Sequence, residues 1–203
     1  MLVDHLIYAA PDLTAAVADF EDRFGVRAEA GGRHTGLGTH NALLALGPRT
    51  YLEIIAPDPG QPEPADGRPF ATDLLTGGAL VGWALGCDDI DQAASVARSH
   101  GYDPGQAADG HRVAPAGTVL RWRATDGVRP DLVPFLICWG GTAHPATSAP
   151  PGLSLESLRL EHPDPASLAP VLVALGADIT ITAAAAPALV ATLSGPAGTK
   201  TVR

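Results

Sequence analysis

The chain has 203 residues, 46% hydrophobic, 17% charged and 5% aromatic, with 13 basic and 22 acidic side chains and a formal net charge of −9. That length suits one domain with its own core, and the acidic balance argues against nucleic acid or an anionic membrane surface as partner, since both call for a Lys/Arg surplus. No apolar run reaches the ~18–20 residues of a membrane span, the N-terminus lacks a basic start, and Cys87 and Cys138 form no CxxC pair, so a reduced, cytoplasmic setting is expected.

Three segments share one grammar of apolar strand, acidic turn and amphipathic helix. They begin at His5, Gly82 and Ser157. Asp12, Asp89 and Asp164 each stand where a side chain accepts from the free amides of a helix start. Leu13, Val17, Phe20 and Phe24 recur at helical period, and Gly25 closes that helix. Ile90, Ala94 and Ala97 repeat the spacing, as do Leu168, Val171, Leu172 and Leu175 before Gly176.

Strand-like runs follow each helix. In the first unit they cover Val26 to Ala30, Ala42 to Leu46 and Tyr51 to Ile55, with Gly47-Pro48-Arg49-Thr50 as a hairpin turn. The second unit offers Thr118 to Ala124 and Val133 to Trp139, joined by a loop from Thr125 to Leu132. The third offers Ile179 to Thr182, Ala188 to Ser194 and Lys200 to Arg203. The unit is thus β-α-β-β-β, three times over: modules at 1–57, 79–140 and 153–203, with Pro/Gly-rich linkers at 58–78 and 141–152. A lone unit leaves one sheet face bare, so two units pair to close a curved mixed sheet over a cavity, helices outside. The expectation is an α+β protein with a third, partial module. A homodimer is expected as well.

His5 in DHLIYAAPDL and Glu53 in YLEIIAP, with GGRHTGLGTHNALLALG before the latter, carry a resemblance. Over residues 1 to 140 the chain resembles the vicinal oxygen chelate superfamily, in its glyoxalase-like branch. That superfamily includes glyoxalase I, extradiol dioxygenases and bleomycin-resistance proteins. The resemblance implies a divalent metal held by strand residues of two paired units, with His5 and Glu53 as the matching pair. A shift of 77 residues, which aligns Asp12 with Asp89, places Gly82 opposite His5. Aligning Tyr51 with Phe135 places Ile137 opposite Glu53. Neither Gly82 nor Ile137 ligates metal, so the second half of the set is missing.

An imidazole and a carboxylate on neighbouring strands supply two ligands to Zn²⁺, Fe²⁺, Mn²⁺ or Ni²⁺, with His40 the nearest third; His34, His111 and His144 are weaker candidates. Without metal, Glu53 remains a candidate proton-transferring group, or the pair is a polar contact on a pocket wall. The stretch Arg33 to Asn41 is polar and glycine-rich. It reads as a mobile loop over the pocket in which Arg33, His40 and Asn41 donate to an oxygen-rich ligand, or as a plain surface hairpin. Arg121-Trp122-Arg123 puts both arginines on one strand face and Trp122 on the other. Arg121 is a candidate carboxylate clamp, and Trp83 and Trp139 are candidate pocket walls. Serine-hydrolase, dinucleotide-binding and zincin motifs do not occur. Two functions stay open: a lyase, isomerase or dioxygenase acting on a small oxygenated molecule, or a protein that binds and sequesters one.

Overall fold

A computed structural model describes residues 1–115, 117–126 and 129–203. The first unit runs β1 (Leu2–Ala9), α1 (Leu13–Phe24), β2 (Glu29–His34), β3 (Thr39–Gly47) and β4 (Thr50–Pro57). The second runs β5 (Ala79–Gly86), α2 (Ile90–Ser99), β6 (Ala108–Val113), β7 (Val119–Ala124) and β8 (Phe135–Cys138). The third runs β9 (Ser154–His162), α3 (Pro165–Ala174), β10 (Thr180–Ala183), β11 (Ala188–Gly195) and β12 (Gly198–Val202). The fold is α+β, and the predicted element order holds through all three units.

The helix starts are where the acids place them. The Asp12 carboxylate accepts from the Ala15 amide at 2.8 Å, Asp89 from the Asp91 and Gln92 amides, and Asp164 from the Ser167 amide. Gly25 ends α1 at φ 77°, a left-handed cap that only glycine adopts without strain.

Units one and two close into a single barrel in the order β1-β4-β3-β2-β6-β7-β8-β5, with β5 pairing back onto β1. Each half reads first, fourth, third, second strand, so the two halves are related by a pseudo-twofold. Their junction at β2 and β6 is slight: Arg33 opposite Val113 is its one bridge among the described residues.

Two strand expectations need correction. The first strand after α1 is Glu29–His34, not Val26 to Ala30, so Arg33 and His34 belong to a strand and only residues 35–38 turn. Strand β6, ADGHRV, has no apolar alternation to announce it. Of the loop expected from Thr125 to Leu132, residues 127 and 128 lie outside the described residues.

Period-two alternation splits the barrel strands into two faces. Leu6, Leu44, Leu52, Ile54, Trp83, Leu85 and Leu136 face outward into the main core with Phe20 and Phe24 of α1 and Ile90 of α2. The inward face carries Ile7, Ile55, Ala84, Phe135 and Ile137.

The third unit is no third copy of the first two. Its sheet runs β10-β9-β11-β12, with β9 parallel to β10 across α3. A βαβ crossover replaces the first-to-fourth pairing of the barrel halves. Its apolar face, including Leu158, Leu160, Leu189 and Leu193, joins the main core outside the barrel. It therefore covers outward-facing strand residues and leaves the barrel interior to the first two units.

Candidate functional site

The barrel interior holds a cavity of about 250 Å³. One wall comes from the first unit and carries polar groups: His5 of β1, His34 of β2, Asn41 of β3, and Tyr51 and Glu53 of β4. The opposite wall comes from the second unit: Arg112, Trp122, Phe135 and Ile137, with Trp139 just past β8. Ile7, Leu37, Ile55, Pro69 and Phe70 complete the lining. Phe70 and its neighbour Ala71 both have positive φ, 58° and 49°. That is a strained conformation for residues with a side chain, and here it carries Phe70 against the apolar cavity cluster.

His5 and Glu53 meet because β1 and β4 pair in parallel, with His5 opposite Tyr51 and Ile7 opposite Glu53. His5 Nε2 lies 3.8 Å from Glu53 Oε2, and the residues are 3% and 8% exposed. On its other side, His5 Nδ1 lies 2.8 Å from Asp4 Oδ1. Asp4 also accepts from Trp139 Nε1 at 3.0 Å and lies 3.1 Å from His144 Nε2. His144 Nδ1 accepts the Ala146 amide, so its Nε2 carries the proton toward Asp4. Burial pushes the Asp4 carboxyl upward, but the hydrogen bonds and charges of His144 and His5 outweigh burial and hold it at about 2. An ionised Asp4 assigns the His5 proton to Nδ1. The Nε2 lone pair then faces Glu53 and the cavity.

The other Glu53 oxygen, Oε1, accepts from Asn41 Nδ2 at 2.7 Å. The same amide nitrogen lies 3.4 Å from His34 Nε2, and His34 Nδ1 lies 2.9 Å from Thr39 Oγ1. Burial lowers the His34 pKa and outweighs the Glu53 charge, so this imidazole is neutral near pH 7. Tyr51 stacks on His5 with ring centroids 4.7 Å apart. Burial, with the Glu53 and Asp4 charges, pushes its hydroxyl far above the usual range.

Of the residues singled out in the sequence, the structure brings His5, Glu53, Asn41 and Trp139 together. It does not bring in His40, which is outside the lining and alternates with Asn41; His34 takes the place beside Glu53. Arg33 is on the far side of its strand, 63% exposed, and paired to Asp58 at 3.0 Å. Trp83 is fully buried in the outer core, where Nε1 donates to the Leu132 carbonyl at 2.8 Å. Arg121 is exposed beside His111 on another recess, and the alternation of its strand sends Trp122, not the arginines, into the cavity. Sequence reasoning missed Asp4, Tyr51, Arg112 and Phe135 as parts of the site. Phe135 and Ile137 were within reach, since aligning Tyr51 with Phe135 already equates the two walls.

The strand registers revise the internal alignment. His5 pairs with Tyr51, and in the second unit Ala84 pairs with Phe135. Ala84, not Gly82, is therefore the counterpart of His5, a two-residue slip from the helix-cap alignment. Alanine and Ile137 offer no metal donor. On the first wall, Asn41 already engages Glu53 Oε1 and stands against His34 Nε2. That leaves His5 Nε2 and Glu53 Oε2, two lone pairs where a catalytic zinc site uses three protein ligands. Among the described residues no group of three or more His, Cys, Asp or Glu is arranged to hold a metal ion. The Arg112 guanidinium adds a positive charge to the same cavity. The donor set does not fit a divalent cation.

The model of the glyoxalase-like domain family matches residues 3–176. The chain belongs to this family. The glyoxalase-like domain thus takes in both barrel halves, β9 and α3. No curated protein matches the chain. Among solved structures, a hypothetical protein from Staphylococcus aureus is similar in fold, with 16% identity and a TM-score of 0.63 over 92% of this chain and 88% of that one. A methylmalonyl-CoA epimerase in complex with methylmalonyl-CoA and NH4+ has 19% identity and a TM-score of 0.48 over 70% of this chain and 97% of that one. A methylmalonyl-CoA epimerase from Mycobacterium tuberculosis has 20% identity and a TM-score of 0.44 over 71% and 91%.

Proposed function

We propose that this glyoxalase-like protein is a proton-transfer enzyme, an isomerase or lyase, acting on a small oxygenated molecule inside the barrel without a metal. The observation that carries the reading is the His5–Glu53 pair. Two proton-accepting atoms, Nε2 and Oε2, stand 3.8 Å apart in an apolar, aromatic cavity, each fixed from behind by Asp4 or Asn41. Glu53 removes a proton from a carbon next to a carbonyl. His5 Nε2 takes the hydroxyl proton of that same carbon, and the resulting enediolate is reprotonated by Glu53 at the former carbonyl carbon and by His5 at its oxygen, which returns both groups to their starting states. Asp4 and Asn41 are positioning residues, since they act through His5 and Glu53. A positioned acid or base contributes roughly 10²–10⁴-fold to rate.

The test is isotope exchange. Small hydroxy- and oxo-compounds are incubated with the protein in D₂O, and loss of α-C–H signal is followed by NMR. Exchange by the wild type that falls at least roughly 10²-fold in Glu53→Gln supports the reading. Exchange that survives Glu53→Gln rejects it.

A second reading keeps the cavity and drops the chemistry. The second-unit wall is almost wholly apolar and aromatic, which suits sequestration of a flat ligand. Tight binding without exchange, unaltered by Glu53→Gln, would favour it. Homodimerisation and a cytoplasmic setting belong to either reading. Because the barrel closes within one chain, a dimer would form through the outer surface, and light scattering in solution decides it.

A further inference from the structure

Arg112 is 6% exposed, and it lines the same cavity as Glu53. Among the described residues no carboxylate lies within 4.0 Å of its guanidinium, although nine other arginines of the chain have such partners. Its one hydrogen bond among the described residues runs from Nη1 to the Gly31 carbonyl. Burial lowers the His34 pKa and raises that of Tyr51, and the Arg112 charge is felt by both groups, adding to the first shift and opposing the second. A buried guanidinium carries five N–H donors and a full charge, and leaving it without an anion is strongly unfavourable.

We infer that Arg112 is the anchor for a ligand carboxylate, and that the cavity takes small monocarboxylates with a flat apolar body. The rest of the lining fits such a body: Trp122, Trp139, Phe135, Phe70 and Ile137 surround the space next to the guanidinium. A single cation calls for a single negative charge. A doubly charged phosphate would meet the Glu53 carboxylate in the same small space without a second cation to balance it. The inference shares its cavity with the reading above, but it does not depend on proton transfer taking place there.

A structural role competes. Arg112 ties β6 to the β2 carbonyl of Gly31 across the slight barrel seam. The two roles separate by varying the ligand rather than the protein. Benzoate and its neutral isostere benzamide have the same shape and differ in charge. Arg112 also borders a second recess, beside Leu120 and Pro150. The readout is therefore tryptophan emission, because Trp122 and Trp139 line the cavity and not that recess.

Benzoate is expected to perturb the emission with at least roughly tenfold lower Kd than benzamide, the ratio a charge-assisted hydrogen bond supports. Arg112→Met should erase that ratio, with circular dichroism and the unfolding midpoint checking that the variant folds. Glu53→Gln removes a negative charge from the same space and should widen the ratio while it abolishes exchange, so failed catalysis and failed anion recognition remain distinguishable. Equal affinity for the two compounds in the wild type, no emission change with benzoate at millimolar concentration, or a folded Arg112→Met that keeps the ratio would each overturn the inference. Should Arg112→Met not fold, the wild-type comparison of benzoate with benzamide decides alone.

Discussion

Asp4 and His5 are consecutive residues of one strand, yet their side chains meet at 2.8 Å. On a regular strand they would point to opposite faces. The ladder between β1 and β5 shifts register between Val3 and His5, leaving Asp4 unpaired as an extra residue. A bulge of this kind re-aims a side chain. Here it places a carboxylate behind the imidazole, where it holds the proton on Nδ1 and turns the Nε2 lone pair to the cavity.

That arrangement predicts an acid-sensitive component of stability. The Asp4 carboxyl is held at about 2, below its ordinary 3.8. A carboxyl depressed on folding stabilises the fold fully above its unfolded pKa, and the contribution disappears as pH falls through the folded one. The size is about 2 kcal/mol, present above pH 4 and lost between pH 4 and pH 2. Urea unfolding of the wild type and Asp4→Asn across that window checks it. The two stabilities should differ at pH 6 and converge toward pH 2. A constant difference would show that Asp4 is not ionised in the fold.

Asn41 and His40 are neighbours of opposite consequence. Asn41→Ala removes the amide that holds Glu53 Oε1 and leaves a buried carboxylate oxygen without that donor. Such a loss is worth roughly 1–3 kcal/mol, or about 10–100-fold in the activity or binding that depends on Glu53. His40→Ala should change the same quantity less than about threefold, since surface substitutions away from such features stay within about 0.5 kcal/mol. Equal effects from the two variants would show that the β3 alternation is misassigned.

The elements themselves are legible in the sequence because caps and periodicity are local. Asp12, Asp89 and Asp164 mark helix starts within their own turns. The pairing of His5 with Glu53 is legible in the residue types, one imidazole and one carboxylate in otherwise apolar runs. What escapes is set by contacts distant in sequence. Arg112 sits in a polar strand and matters only because closing the barrel brings β6 against β2. Trp83 is a strand tryptophan like Trp122, and one residue of alternation puts it in the outer core. The third unit repeats the element order of the others, but strand pairing decides its sheet, and local pattern does not encode that pairing.

Divalent metals test the donor count directly. With two free lone pairs facing the cavity, dialysis against EDTA should leave the unfolding midpoint unchanged. Addition of Zn²⁺, Fe²⁺, Mn²⁺ or Ni²⁺ at ten times the protein concentration should not raise it either. A specific ligand in excess over its Kd stabilises by mass action, so a metal of micromolar affinity would reveal itself as a shift of several degrees in differential scanning calorimetry. Such a shift, abolished in Glu53→Gln, would restore a metal to the site.

Gly110 tests the aromatic wall. It lies opposite Trp122 in the β6–β7 ladder, and a Cβ there would stand 2.4 Å from the indole nitrogen. Its φ is not in the left-handed region, so the backbone accepts a larger residue and any penalty comes from the indole. Gly110→Val therefore forces the Trp122 indole to shift. Overpacking of this kind costs about 1–3 kcal/mol. Gly47→Ala meets nothing within 4 Å and should lie within about 0.5 kcal/mol of the wild type. Urea unfolding measures both, and tryptophan emission locates the change. If Gly110→Val were as stable as Gly47→Ala, with unaltered emission, Trp122 would not be packed on the glycine and the cavity wall would need redrawing.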